Sequence, residues 1–91
     1  MKKGKFELYT RPTCSDCQDA KAFLAENHIP YTDHDLSKEP EKEKELVKIA
    51  GVRMVPTFVF ENKSMFGLVN KPKVLIGFEQ NFEEIKRLLA L

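Results

Sequence analysis

The chain is short of cysteine, of any excess of one charge and of long apolar runs, and each shortage removes a class of protein. Fifteen Lys and Arg stand against fourteen Asp and Glu, leaving a net charge of +1, so no long-range field gathers nucleic acid or an anionic membrane surface. No stretch approaches the roughly 18 apolar residues of a membrane span, and Met1-Lys2-Lys3-Gly4-Lys5 runs directly into a strand-like segment. These features predict a cytoplasmic protein with neither nucleic-acid nor membrane partners. Its 91 residues are expected to form one domain over 1–91, a monomer with a modest core and a single site.

Two cysteines are too few to staple a secreted miniprotein, and a bridge across two intervening residues closes almost no loop entropy. Cys14-Ser15-Asp16-Cys17 is therefore there for reactivity or for a metal. In a reducing compartment, Cys-x-x-Cys beside a strand–helix–strand pattern reads as a redox pair, because thiols one helical turn apart interconvert within the molecule. A metal is the weaker reading. Cys14, Cys17, His28 and His34 are spaced much like a two-Cys, two-His finger, but Pro30 keeps the histidines off a shared helix face. No metal or prosthetic cofactor is expected, only a redox-active disulfide, and both histidines read as solvated.

Hydrophobic periodicity supplies the elements around that pair. Lys5 to Thr10 alternates, with Phe6 and Leu8 on one face of a strand. Ser15 to Asn27 carries Ala20, Phe23 and Leu24 at helical spacing, and Pro30 closes it. Tyr31 to Leu36 is polar and short, suited only to a sheet edge. Ser37-Lys38-Glu39-Pro40 predicts a helix start, with Leu46, Val47, Ile49 and Ala50 as its apolar stripe, solvated charges from Glu39 to Lys48 and a stop at Gly51. Val55 to Phe60 is β-branched and aromatic, a buried strand with its proline at the entrance. Val74 to Phe78 is its antiparallel partner, after turn signals at Asn62-Lys63 and Lys71-Pro72-Lys73. Asn81 and Glu84 predict a capping pair for a last helix whose face is Phe82, Ile85, Leu88 and Leu89. The order βαβαββα, with a right-handed crossover between two parallel strands, predicts an α/β fold with helices on both faces of a four-stranded mixed sheet. Cys14 then falls at the carboxyl end of the first strand, where reactive groups collect in such folds.

At this point Arg11-Pro12-Thr13-Cys14-Ser15-Asp16-Cys17 after a strand, Val55-Pro56-Thr57 and Gly77-Phe78 together resemble a glutaredoxin, a small redoxin of the thioredoxin-fold superfamily. The resemblance spans nearly the whole chain and implies a thiol-disulfide oxidoreductase. It implies a cis bond before Pro56 facing the active disulfide, a Val55 backbone that pairs with an extended substrate segment, and an Arg11 that meets a substrate carboxylate. Thr13, Gly77 and Phe78 complete the expected substrate-facing set. A helix amino terminus, carrying about half a positive charge and free N–H groups, stabilises a thiolate, which makes Cys14 the nucleophile. Arg11 is expected to assist it, and Asp16, read as a surface charge, to oppose it. Cys17, a turn deeper, suits the resolving role.

Departures from the pattern bear on the substrate. Glutaredoxins that handle glutathione well carry Gly-Gly and then an acidic or hydroxyl residue near the last helix, where this chain has Gly77-Phe78-Glu79-Gln80. Gly77-Phe78 is instead similar to redoxins that reduce ribonucleotide reductase and draw electrons from thioredoxin reductase. Thioredoxins proper have a Trp and a buried Asp where Thr13 and Leu8 stand. The expected partners are protein disulfides, with glutathione or thioredoxin reductase as electron donor. A second class of function is a regulator that binds a macromolecular partner and uses Cys14–Cys17 as a redox switch, since Leu8 to Cys17 also resembles arsenate-reductase-like transcription regulators, which are longer. Ser64 to Lys73, with Met65, Phe66, Leu68 and Val69, exceeds the usual hairpin and reads as a strand extension or, alternatively, an apolar docking patch.

Overall fold

The computed structural model describes residues 6–60 and 72–91. In chain order the elements are β1 (Phe6–Thr10), α1 (Ser15–Glu26), β2 (Thr32–Asp35), α2 (Lys42–Ala50), β3 (Thr57–Phe60), β4 (Lys73–Ile76) and α3 (Phe82–Leu88). The sheet runs β2-β1-β3-β4, with β1 and β2 parallel and the other two pairings antiparallel. This is the thioredoxin-like βαβαββα arrangement, with polar Thr32-Asp33-His34-Asp35 at the edge.

Both faces of the sheet are covered because β1 and β3 are apolar on both. Phe6, Leu8, Phe58 and Phe60 meet Ala20 and Leu24 of α1 and Ile85 of α3, with Phe78 from the turn after β4. Tyr9 and Val59 meet Leu36, just after β2, and Leu46 of α2 on the opposite side. Aromatic rings dominate the first layer: Phe6 stacks on Phe60 at 4.7 Å between centroids, and Phe78 meets Phe23, Phe82 and Phe58 at 5.6, 5.3 and 6.2 Å. Such pairs add about 0.5–1.5 kcal/mol beyond the area they bury.

Local chemistry moved several predicted boundaries. The second helix starts at Lys42, not near Ser37, because the Asp35 carboxylate accepts both the N–H and the hydroxyl of Ser37 at 2.9 and 2.6 Å and holds that segment as a turn. Its stripe is narrower than expected. Leu46 is buried, whereas Val47 and Ile49 are 37% and 39% exposed, since nine residues give only two and a half turns against the sheet. Gly51 ends it in the left-handed region at φ 79°, its N–H returning to the Val47 carbonyl at 2.8 Å. The predicted cap at Asn81 does not form. Asn81 Nδ2 instead donates to the Ile76 and Gly77 carbonyls, and Glu84 pairs with Lys73 and Arg87.

His34 is not solvated: it is 8% exposed, with Nε2 2.7 Å from Glu7 and its ring 4.8 Å from that of Tyr9. Its position opposite Tyr9 in the parallel register puts it there, a pairing that chain order alone does not reveal. His28 is exposed at φ 55° in the turn that closes α1 before Pro30. The Ser64 to Lys73 segment lies outside the described residues except for Pro72 and Lys73, as does the Asn62-Lys63 turn signal.

Candidate active site

β1 ends at Thr10, and Cys14 follows as the N-cap residue of α1, with extended φ −96° and ψ 114°. That conformation swings the thiol back over the first helical turn, where Cys14 Sγ accepts the N–H of Cys17 at 3.1 Å. A cap position ordinarily filled by a hydroxyl or carboxylate oxygen is thus held by sulfur, which receives the unpaired donor and the positive end of the helix dipole. Cys14 is half-buried and Cys17 has no exposed surface. Both are free thiols. Burial pushes the Cys17 thiol up to about 12, with the hydrogen bond to Cys14 adding to the shift and a backbone hydrogen bond at Arg11 opposing it.

The strand entrance lies against this pair. The Val55–Pro56 peptide is cis, and the Cys14 thiol is 3.8 Å from the Val55 carbonyl. The Pro56 carbonyl accepts the N–H of Gly77 at 2.7 Å. Gly77 has φ 98°, a backbone conformation that favours glycine, and a Cβ there would meet only the Gln80 side chain. Here the chain leaves β4, two residues earlier than expected, and the N–H of Phe78 turns to the Asp16 carboxylate at 2.8 Å.

Of the residues predicted for the site, Cys14, Cys17, Val55, Pro56 and Gly77 come together through these contacts. Thr13 is exposed immediately before Cys14. Arg11 is engaged in an ion pair: its Nη2 lies 3.3 Å from Glu43 of α2, whose same oxygen is 3.5 Å from Arg53. The Phe78 ring lies in the core, 8% exposed, and its N–H reaches the Asp16 carboxylate at the start of α1. Two residues escaped the sequence reading. Asp16 is a bonded anchor where a surface charge was expected, which its place between the cysteines could have suggested. Glu43 gives no local signal, because its arginine partners come from the loop after β1 and the loop after α2.

Beside Asp16 opens a cleft of about 310 Å³, lined by Asp16, Asp19, Phe78, Glu79 and Phe82. Three carboxylates around two aromatic rings make it a poor seat for an anion. Among the described residues no three His, Cys, Asp or Glu side chains are arranged to hold a metal ion.

One consequence is directly measurable. Cys14 should react with iodoacetamide faster than Cys17 near neutral pH, because one sulfur is accessible at the helix start while the other is enclosed and keeps its proton. Peptide mapping after a brief pulse reads the ratio, and first labelling at Cys17 would reverse the roles.

Comparison with known proteins agrees with this geometry. Residues 6–65, well over half of the chain, match the Glutaredoxin family model. The fold superposes on a mutant of the thioredoxin-like protein BC3987 with a TM-score of 0.74 and 27% identity, covering 94% of this chain and 95% of that one. It also superposes on the glutaredoxin of Archaeoglobus fulgidus with a TM-score of 0.69 over 94% and 86% of the two chains, a likeness of fold alone at 19% identity. Among curated sequences, global transcriptional regulator Spx 1 of Bacillus cereus is 42% identical over 45 residues, 46% of this chain and 34% of the relative. Spx of Bacillus subtilis is 42% identical over 33 residues, 36% of this chain and 25% of the relative. The matched stretch thus spans between a quarter and 34% of those regulators. With the family model matched over 60 of its 91 residues and this sheet beneath the two cysteines, the chain belongs to the glutaredoxin family.

Proposed function

We propose that the protein is a cytoplasmic dithiol oxidoreductase that reduces protein disulfides through Cys14 and Cys17. The observation that carries this reading is the asymmetry of the pair, one thiol accessible at a helix N-cap and the other enclosed one turn deeper. In the first step Cys14 thiolate attacks one sulfur of a substrate disulfide. A Cys14–substrate S–S bond forms, the substrate S–S bond breaks, and the departing sulfur leaves as a thiolate that takes a proton from water. Cys17 then gives up its proton and attacks Cys14 Sγ, closing the internal disulfide and expelling the second substrate sulfur as a thiol. Two electrons and two protons have passed to the substrate, and an external thiol donor restores them.

The order of events has a physical cause. Part of what holds the proton on Cys17 is its hydrogen bond to Cys14 and the charge of Cys14. Once Cys14 is in a disulfide that charge is gone and Cys17 holds its proton less tightly, while burial, the larger cause, still acts on it. The preference for protein disulfides over glutathione draws support from the carboxylates around the Phe78 cleft and from Glu43, which occupies Arg11.

The test is turnover of a protein disulfide coupled either to glutathione with its reductase or to thioredoxin reductase. Reduction of the protein disulfide by one donor is expected, and the productive donor names the electron source. A protein that reduces glutathione mixed disulfides well and protein disulfides poorly would overturn the substrate assignment.

A second reading has its own observation, the 42% identity with transcriptional regulators Spx 1 and Spx over short stretches. On that reading Cys14–Cys17 switches a binding surface instead of turning over. It predicts reversible oxidation of the pair with no steady-state reduction by either donor.

A further inference from the structure

We infer that Asp16 is a positioning residue: its carboxylate locks the redox helix to the turn after β4 and so holds Cys14 against the strand entrance at Val55. The inference rests on the assignment of Cys14 and Cys17 as the redox pair. Four contacts close a ring through the site. Asp16 Oδ2 accepts the Phe78 N–H at 2.8 Å, across 62 positions of chain. The adjacent Gly77 N–H donates to Pro56 at 2.7 Å, the neighbouring Val55 carbonyl is 3.8 Å from Cys14 Sγ, and that sulfur accepts the Cys17 N–H at 3.1 Å. Three of these links join different segments and the fourth fixes Cys14 within the first turn of α1, so the start of α1, the entrance to β3 and the exit from β4 are tied to one another.

Asp16 is the link that the redox helix itself contributes. Gly77 turns the chain away from β4, so Phe78 has no ladder partner for its N–H, and its ring is buried. A buried donor left unpaired is costly, and the other groups at this turn are served from within it: Gln80 and Asn81 donate to the Ile76 carbonyl, and Asn81 also to that of Gly77. A surface aspartate near a helix start needs only to face solvent. This one sits between the two cysteines and reaches across to another element, although its negative charge raises the proton affinity of Cys17. Geometry, then, and not charge, is what the site takes from it.

Two variants separate geometry from charge. Asp16→Asn keeps an acceptor oxygen at the same reach and removes the charge, whereas Asp16→Glu keeps the charge and moves the acceptor by a methylene. Steady-state reduction of a protein disulfide should fall about ten-fold in kcat/KM for Asp16→Glu and stay within about three-fold of the parent for Asp16→Asn, since small misplacements near reacting atoms are costly. The ¹H shift of the Phe78 amide should sit downfield in the parent and in Asp16→Asn and move upfield in Asp16→Glu. The opposite order, with Asp16→Asn impaired and Asp16→Glu normal, would overturn the inference, as would a Phe78 amide indifferent to both. If the parent reduces no disulfide, the oxidoreductase reading fails by itself, while the amide shift and the Cys14-to-Cys17 alkylation ratio of the same variants still decide the role of Asp16.

Discussion

Cys17→Ser should convert the protein from a turnover catalyst into a trap, with reduction of protein disulfides falling by two orders of magnitude or more, roughly the loss seen when a reaction is deprived of its intramolecular partner. The first exchange needs only Cys14, whose cap position is held by the backbone N–H of residue 17 in addition to the contact with the Cys17 thiol. A serine retains that N–H. The second exchange has no nucleophile, so the mixed disulfide at Cys14 accumulates and is visible on a non-reducing gel and by mass spectrometry. Glutathione mixed disulfides provide the contrast, since a second glutathione can replace the missing thiol. Activity retained on glutathionylated substrates together with no trapped protein would reject the preference for protein disulfides. Trapping through Cys17 in the reciprocal Cys14→Ser variant would reject the nucleophile assignment.

Phe78→Ala should cost about 3–5 kcal/mol of folding stability, the usual range for removing a buried phenyl ring. The ring is 8% exposed and lies against Phe23, Phe58 and Phe82, so three elements lose a neighbour at once. A loss of this size is a large share of the roughly 5–15 kcal/mol of a small domain, and Phe78→Leu, which refills most of the space, should lose far less. Equilibrium urea unfolding measures both. The experiment also decides what the residue does: a ring standing in the substrate site would leave stability almost unchanged on truncation and alter substrate preference instead. A loss below about 1 kcal/mol, with faster turnover of glutathione substrates, would favour that alternative.

Much of the fold was legible because its determinants are local. The alternation at Phe6 and Leu8, the helical spacing of Ala20 and Leu24, the β-branched and aromatic run before Phe60 and the breaks at Pro30 and Gly51 each act over a few residues, and the observed elements follow them. So did the position of the cysteines, since a strand that feeds a helix leaves only one place for Cys14. Glutaredoxin-like motifs supplied the cis peptide before Pro56, which no local pattern in this chain would have revealed.

What the sequence could not determine was where polar groups find their partners. Asp16 looked like a surface charge, Arg11 an aid to the thiolate, Phe78 a substrate contact and His34 a solvated ring. These answers depended on residues far along the chain: Asp16 on Phe78, 62 positions away, and His34 on Glu7, 27 away, with Arg11 paired to Glu43 of α2. A hydrophobic face is announced by periodicity, because every neighbour on it shares one preference for burial. A hydrogen bond joins two particular groups, and only the packed chain decides which N–H is left without a ladder partner and which carboxylate lies within 3 Å of it. Residue types and spacing therefore determined the frame and the place of the two cysteines in it, whereas tertiary structure alone decided that the Asp16 carboxylate faces the Phe78 amide and that the Phe78 ring belongs to the core.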